Sequence, residues 1–315
     1  MANANGGATV WSAPNYLGPL FTIGANQTPF LSDIGGTGGA NARVAKSWEF
    51  PLTAQDALNA AAQPAITETA SLTAPTATTY ARTQTKNTCQ IFQRAVNVSY
   101  AKQSDVGTLT GLAIAGEANP VPNERDRQIA MNLLNMSVDM EYTFLNGAYV
   151  AATDAGTAAK CRGIITGSTV NTVAALSAAL STAQVNSLLK TMADNGAIFA
   201  NMAVYANAFQ KQSLTKLFGY APMDRNVGGV NVETIETDFA KIAIKYAPHV
   251  PAGTLLVADL SVIHPVFLPV PDKGYMFYEE LSKVGAAESG QVYAQAGLDY
   301  GPAAYHGTIT GLATS

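Results

Sequence analysis

Residues 47–100 read SWEFPLTAQDALNAAAQPAITETASLTAPTATTYARTQTKNTCQIFQRAVNVSY, and this stretch decides the fold. It is rich in Thr, Ala and Gln, and six charged side chains serve all of it: Glu49, Asp56, Glu68, Arg82, Lys86 and Arg94. Little in it can form a core of its own. A structureless loop of this length is rare inside a compact domain. The stretch reads instead as an extended loop that leaves the body near Trp48-Glu49-Phe50, returns by Tyr100, and is stabilised by lying on another molecule. A short helix is expected at 54–62, with Thr53 as its N-cap and Pro64 closing it. The tip is the Thr-rich run 65–79. On the way back, Phe92, Arg94, Val96, Val98 and Tyr100 share one parity, as a strand with one buried face requires. The outward limb carries only acidic charges and the returning limb only basic ones. That pattern suits pairing across the limbs or between subunits, at about 0–1 kcal/mol for each exposed pair.

Ahead of the loop, residues 1–42 hold a single charged side chain, Asp33. The tract Gly35-Gly36-Thr37-Gly38-Gly39 forbids a helix there. The segment reads as an extended N-terminal arm. Apolar clusters (Leu17, Leu20, Phe21, Ile23, then Phe30, Leu31, Ile34) would pin it to a neighbouring surface, since fully disordered tails lack them.

Behind the loop stands the strongest local signal. Asn123 is a good N-cap, Asp126 sits at the third helical position, and Glu124 and Asp126 favour the positive end of a helix. Ile129, Leu133, Met136, Met140, Phe144 and Gly147 follow in steps of 4, 3, 4, 4 and 3, tracing one stripe. The spacing predicts a helix over about 123–150, roughly 37 Å long at about 1.5 Å per residue. Its methionines are core or interface fillers.

After Cys161 the texture changes. A capped helix is expected at 181–194, with Leu188, Leu189 and Met192 inward and Gly196 at its C-terminal end. A buried strand is expected at 198–205, and then a second helix capped by Asn207 and running through Phe218. Val230 and Val232, then Ile242, Ile244 and Tyr246, alternate as strands. Residues 254–260 form another buried strand, and Pro265, Pro269 and Pro271 break the region after it. Strands alternating with two helices make a compact α/β lobe over 163–284. Closing strands are expected at 291–300 and 305–312.

Composition sets outer limits. Hydrophobic residues make up 48% of the 315, with mean hydropathy +0.10, enough for a sizeable core. Charged residues are only 13%, against about 25% in a typical domain. So sparse a charge poorly solubilises a free monomer and suits a surface covered by copies of itself. The net charge is −4, with no basic stripe for tight nucleic-acid binding. Residues 1–9 contain no signal-peptide pattern, and no run of about 20 apolar residues spans a membrane. Cys89 and Cys161 read as two reduced thiols in a cytosolically made protein. His249, His264 and His306 lie far apart, without metal-ligand spacing. His264 precedes Pro265, which favours a structural role. There is no nucleophile elbow or phosphate loop, and Glu233, Glu236 and Asp238 nominate no acid/base pair. Glu279-Glu280 reads as a solvated face. No catalytic, cofactor or metal residue is assigned.

The order of elements resembles the major capsid protein of tailed bacteriophages. That fold is α+β and HK97-like, and the narrower likeness is to the SU10-like major capsid protein family. The likeness is carried by residues 28–35 (TPFLSDIG), Trp48-Glu49, residues 82–93 (RTQTKNTCQIFQ) running into 96–99 (VNVS), residues 233–239 (ETIETDF) and residues 304–309 (AYHGTI). It implies a shell subunit with an N-terminal arm at 1–44 and an extended loop at 45–100. A peripheral domain at 101–162 and 285–315 would carry the long spine helix, and an α/β axial domain would occupy 163–284. It implies self-assembly into pentamers and hexamers of an icosahedral or elongated head enclosing double-stranded DNA. The implied partners are a portal, a decoration protein and non-specific DNA contact from the arm through Arg43 and Lys46, with no membrane. The chain starts at Met1 without a long charged helical leader, so a separate scaffolding protein is expected. Lys86, the only lysine of residues 47–100, lies away from the loop tip and gives no case for covalent cross-linking. Candidate inter-subunit contacts are Phe30, Trp48, Glu49, Glu68, Arg82, Lys86 and Arg94. The competing readings are a secreted or surface-layer assembly protein, which requires an export signal, and an enzyme lidded by residues 47–100, which requires a convergent polar cluster.

Overall fold

The computed structural model describes residues 27–36, 41–53, 61–77, 84–104, 124–218 and 233–314. In chain order its elements are α1 (Pro29–Asp33), β1 (Arg43–Val44), β2 (Glu49–Pro51), α2 (Glu68–Ser71), β3 (Lys86–Thr88), β4 (Gln90–Ser99), α3 (Tyr100–Ser104), α4 (Glu124–Asn146), α5 (Ile164–Gly167) and β5 (Thr172–Ala174). They continue with α6 (Thr182–Asp194), β6 (Met202–Ala206), α7 (Ala208–Phe218), β7 (Thr234–Glu236), β8 (Lys241–Tyr246), β9 (Leu255–Asp259), β10 (His264–Phe267), β11 (Met276–Glu280), β12 (Ala287–Asp299) and β13 (Gly307–Thr310).

Two sheets organise the body. The first orders its strands β1-β10-β12-β11, and β4 pairs antiparallel with β12 from Gln90↔Ala296 to Ser99↔Ala287. The alternation expected in β4 is present: Phe92, Val96 and Val98 turn inward, under α4. Tyr100 departs from it, because the chain turns into α3 there and leaves the ring exposed. In α4 the stripe is real but graded. Met136, Met140 and Phe144 are fully buried, whereas Ile129 and Leu133 nearer the N-terminus are only partly covered. At 23 residues α4 is about 34 Å long. The expected N-cap, Asn123, lies outside the described residues.

The second sheet has six strands in the order β5-β13-β9-β6-β8-β7. Its central strands, β6 and β9, are buried on both faces. Ala203, Tyr205, Leu256 and Ala258 face the core beneath α4, while Val204, Ala206, Leu255 and Val257 face a second core against α6. Every residue of β6 and β9 is therefore buried, as continuous apolar runs require. The caps of the two helices follow the sequence. Ser181 and Gln184 form a reciprocal capping box, and Asn207 Oδ1 accepts the Gln210 N–H at 2.9 Å. Gly196 takes φ +83° past the end of α6.

Several expectations are corrected. Phe30, Leu31 and Ile34 do not lie on a neighbour: they fold as α1 and the turn after it, fully or almost fully buried in their own chain. Of the helix expected at 54–62, residues 54–60 lie outside the described residues and 61–62 are not helical. The helical turn falls later, at α2, where Thr67 Oγ1 accepts the Ala70 N–H at 3.2 Å. The strand expected from Ile198 starts at Met202, and Ile198 itself is exposed. Pro265 does not break the chain. It lies in β10, beyond the reach of the two-residue β1, where a missing N–H is tolerated. Glu279-Glu280 ends β11, which pairs with β12, and its side chains stay solvated as expected. Val230 and Val232 lie outside the described residues. Strand pairing also redraws the lobes. β10 and β11 join β4 and β12 in the first sheet, and β13 joins the second, so neither 163–284 nor 285–315 is a single sheet's territory.

Candidate assembly interface

The loop is fixed at its root and uncovered at its tip. β2 and β3 pair antiparallel, Phe50 opposite Asn87, so the two limbs leave the body as a ribbon. Asn87 is fully buried and uses both ends of its amide. Its Nδ2 donates to Leu298 O at 2.7 Å and to Arg162 O at 3.0 Å. Its Oδ1 accepts from Thr88 N at 2.9 Å and Arg162 N at 2.8 Å. One side chain thus ties the returning limb to β12 and to the segment after α4. The outgoing limb is held through Asp299, whose carboxylate accepts from Thr53 N (3.2 Å), Thr53 Oγ1 (2.9 Å) and Gly301 N (3.0 Å) and pairs with Arg43 Nη1 at 2.5 Å. Gly297 lets the ribbon seat closely: a Cβ there would stand 2.8 Å from the Phe50 ring and 2.9 Å from Thr88 O.

Further out the packing ends. Every residue from 61 to 77 is exposed, including the apolar Ile66 (73%) and Leu72 (84%). Such side chains face water only at a free-energy cost that burial against a partner recovers, about 1.5–3 kcal/mol for full burial of a large aliphatic group.

The N-terminal segment is latched between α4 and the six-stranded sheet. Glu141 of α4, fully buried, accepts the N–H groups of Phe30 (3.1 Å) and Leu31 (2.6 Å). Asp33 at the other end of α1 pairs with Lys245 Nζ at 2.5 Å and accepts the Tyr205 hydroxyl. Burial pushes the Glu141 carboxyl up to about 7, opposed by the two N–H bonds and aided by the nearby Asp33 charge. His306 is likewise fully buried. Its Nδ1 accepts the Asp259 N–H at 3.2 Å and its Nε2 donates to Tyr300 O, and burial pulls its pKa down to about 4. It is a neutral structural pin. Burial also pushes both thiols, Cys89 and Cys161, up to about 12.

The candidate contact residues divide. Phe30 is packed edge-on against Tyr205 at 5.3 Å, so its ring is occupied within its own chain and offers no surface to a neighbour. The expected acidic–basic match of the two limbs is made inside the ribbon, where Lys86 stands 3.7 Å from Glu49. Arg94 is bound to the chain's own α4, with Nη2 2.6 Å from Asp139 Oδ2. Arg43, expected near DNA, is tied to Asp299. Trp48 and Glu68 are exposed, Trp48 beside Ile91 on a groove of about 720 Å³ closed by residues 152–160. Arg82 lies outside the described residues. Sequence reading missed Asn87, Asp299 and Glu141, whose roles depend on partners far along the chain. Among the described residues no three His, Cys, Asp or Glu side chains group as a metal site, and no helix is long and apolar enough to cross a membrane.

A loop rooted by buried hydrogen bonds but bare at its tip is the form of a subunit completed by others. The sequence profile of the SU10 major capsid protein family matches residues 3–313. The chain belongs to that family. It is a structural subunit of a phage capsid shell that assembles with copies of itself. Solved structures agree on the HK97-like fold across nearly the whole length. The capsid asymmetric unit of cyanophage A-1(L) gives a TM-score of 0.67 at 11% identity, covering 96% of each chain. The capsid of cyanophage P-SCSP1u gives 0.57 at 10% identity, covering 96% of this chain and 93% of that one. The holo-SrpI encapsulin complex from Synechococcus elongatus PCC 7942 gives 0.57 at 11% identity, with the same coverage. No curated protein sequence matches the chain. The capsid subunit is therefore recognised by its family profile and placed in its fold by shape, at identities too low to carry anything finer.

Proposed function

We propose that this subunit forms the pentamers and hexamers of an icosahedral or elongated phage head enclosing double-stranded DNA, after synthesis in the host bacterial cytoplasm. The observation that carries the reading is the continuous exposure of residues 61–77 beyond a root fixed by Asn87 and Asp299. On a neighbouring subunit that loop buries apolar area without enlarging the folded body, and the cost of ordering it is met only on assembly. Each contact can be modest, since many must break before one subunit leaves a closed shell. In this reading the sheet of β4 and β12 with α4 forms the peripheral domain, and the six-stranded sheet forms the axial domain. A separate scaffolding protein, a portal and a decoration protein are its partners. The acidic balance suits a lining that does not grip DNA phosphates, so contact with the packaged DNA is non-specific.

The test is direct. The full chain, expressed with and without the other head genes of its phage, is viewed by negative-stain microscopy. Closed shells built of five- and six-membered rings are expected. A compact monomer at high concentration whose residues 61–77 resist protease would refute the proposal.

A further inference from the structure

The six-stranded sheet carries two uncovered apolar features at diagonally opposite corners. At the β5 edge, the turn that follows the strand places Leu176 at φ +51° and Ser177 at φ +65°, closed by the Ala178 N–H to Ala175 O bond at 2.9 Å and anchored by Ser177 N to Gly311 O at 2.7 Å. Non-glycine residues enter that backbone region only at a cost. Here the cost is accepted to hold a leucine 87% exposed. At the β7–β8 edge, and at the opposite end of the strands, Phe239 (45% exposed) lies on the hairpin turn. It stacks on Phe199 at 5.6 Å and 18°, and Phe199 is again held in the left-handed region, at φ +57°. Ile198 beside it is 65% exposed. The platform is rigid, because the Asp259 carboxylate accepts the next two N–H groups, Ala200 at 3.0 Å and Asn201 at 3.2 Å.

The strand directions fix the corner placement. β6 and β8 run parallel, β9 runs against β6, β13 against β9, and β5 with β13. Leu176 therefore leaves one end of the sheet and Phe239 the other, with five strand spacings between their edges, about 24 Å at about 4.8 Å each. One feature is a single projecting side chain and the other a flat, braced ring stack, so the two differ in shape as a knob and a seat do. A contact between them in two copies leaves a free knob on one and a free seat on the other. It propagates until it closes, as a ring-forming heterologous interface must. Its area is far below the roughly 800 Å² per partner of a stable two-body complex, so it acts only among many contacts.

We propose that Leu176 of one subunit seats on Phe239 and Ile198 of the next copy around a ring. The proposal rests on the capsid reading above and deepens it. The probe is a short bis-maleimide applied to intact shells of Leu176→Cys, Phe239→Cys and the double variant. The native thiols, fully buried, stay silent. The double variant is expected to give a ladder of cross-linked chains ending at the ring size, and each single variant none. A ladder missing from intact double-variant shells overturns the proposal, and so do dimers from either single variant, which would mean like meets like. As a second measure, Leu176→Asp should leave the melting of the free subunit unchanged and lower shell yield about tenfold or more; an unchanged yield overturns the contact. Shell formation by the unaltered chain is scored first. Its failure sinks the capsid reading and this contact with it, whereas shells without the ladder sink the contact alone.

Discussion

Replacing Asn87 with Ala should unfasten the loop root, and the size of the effect can be worked from its four bonds to nitrogen and oxygen partners. Two of them, to Leu298 O and from Thr88 N, are fully buried, and two, to Arg162 O and from Arg162 N, are partly buried. An orphaned buried polar group costs about 1–3 kcal/mol, and the Arg162 groups can recover some hydration, so the sum is about 3–5 kcal/mol. That is a large share of the roughly 5–15 kcal/mol that holds a folded domain. Asn87→Asp keeps the acceptor but loses both donations and sets a carboxylate against two carbonyl oxygens, so it should be at least as damaging. Urea unfolding followed by tryptophan fluorescence reads the effect, helped by Trp48, whose carbonyl accepts from Thr88 Oγ1 at 3.2 Å. Protease cleavage near 84–90 should rise together with the loss of stability. If Asn87→Ala unfolds within about 1 kcal/mol of the parent chain and its root stays protease-resistant, the view of Asn87 as the pin is wrong.

The double change Ile66→Asp and Leu72→Asp touches no packed side chain. It should alter subunit stability by no more than about 0.5 kcal/mol while abolishing shells, checked by thermal melting alongside electron microscopy. Gly163→Ala would put a Cβ 2.6 Å from Gly147 N and Leu145 O, backbone that cannot yield, so a loss of about 3 kcal/mol or an insoluble product is expected; Gly156→Ala, in an exposed turn, is the control. Two buried groups should give opposed pH dependences. Glu141, raised from 4.5 to about 7, binds more protons folded than unfolded, so its contribution is full below 4.5 and is lost as pH rises through 7. His306, lowered from 6.5 to about 4, binds fewer protons folded, so stability is lost as pH falls from 6.5 towards 4. Glu141→Gln should therefore expose an acid-side decline that the parent chain masks. Unfolding free energies measured from pH 4.5 to 6.5 decide this, and an equally flat profile in the variant would count against both assignments.

Features that depend on neighbours in sequence were legible in advance. The stripe from Met136 to Phe144, the capped start of the helix at Ser181, the Asn207 cap and the alternation of β4 each follow from spacing of four residues or fewer, and each is where it was expected. What escaped depends on distant partners. The α1 turn sits in a glycine-flanked segment with weak helical character, and Glu141, more than a hundred residues away, satisfies its N–H groups. β11 ends in two glutamates, and β10 contains a proline. Both are strands because β12 runs thirteen residues and offers each a register. Asn87 looked like one more polar residue in a polar loop, and no local pattern marks it as buried. The Leu176 turn carries no glycine or asparagine at its left-handed positions, so the usual signal of such a turn is missing.

These two classes of feature divide the work of assembly. The polar groups that sequence reading missed, Asn87, Asp299 and Glu141, are buried and paired within the chain, and they fix where the loop and the N-terminal segment leave the body. The apolar groups that face water, Ile66, Leu72, Leu176 and Phe239, supply contact but no direction of their own, because hydrophobic contact is non-directional and gains its specificity from where its bearers are held. A shell needs that arrangement. If the loop root were as loose as its tip, the entropy of aiming it would oppose every contact. If the tip were pinned as firmly as the root, nothing would be left for a neighbour to complete. Low surface charge follows from the same logic, since a charged side chain at a repeated contact must be desolvated once per copy. The sparse 13% charge fits a surface that copies of the same chain cover.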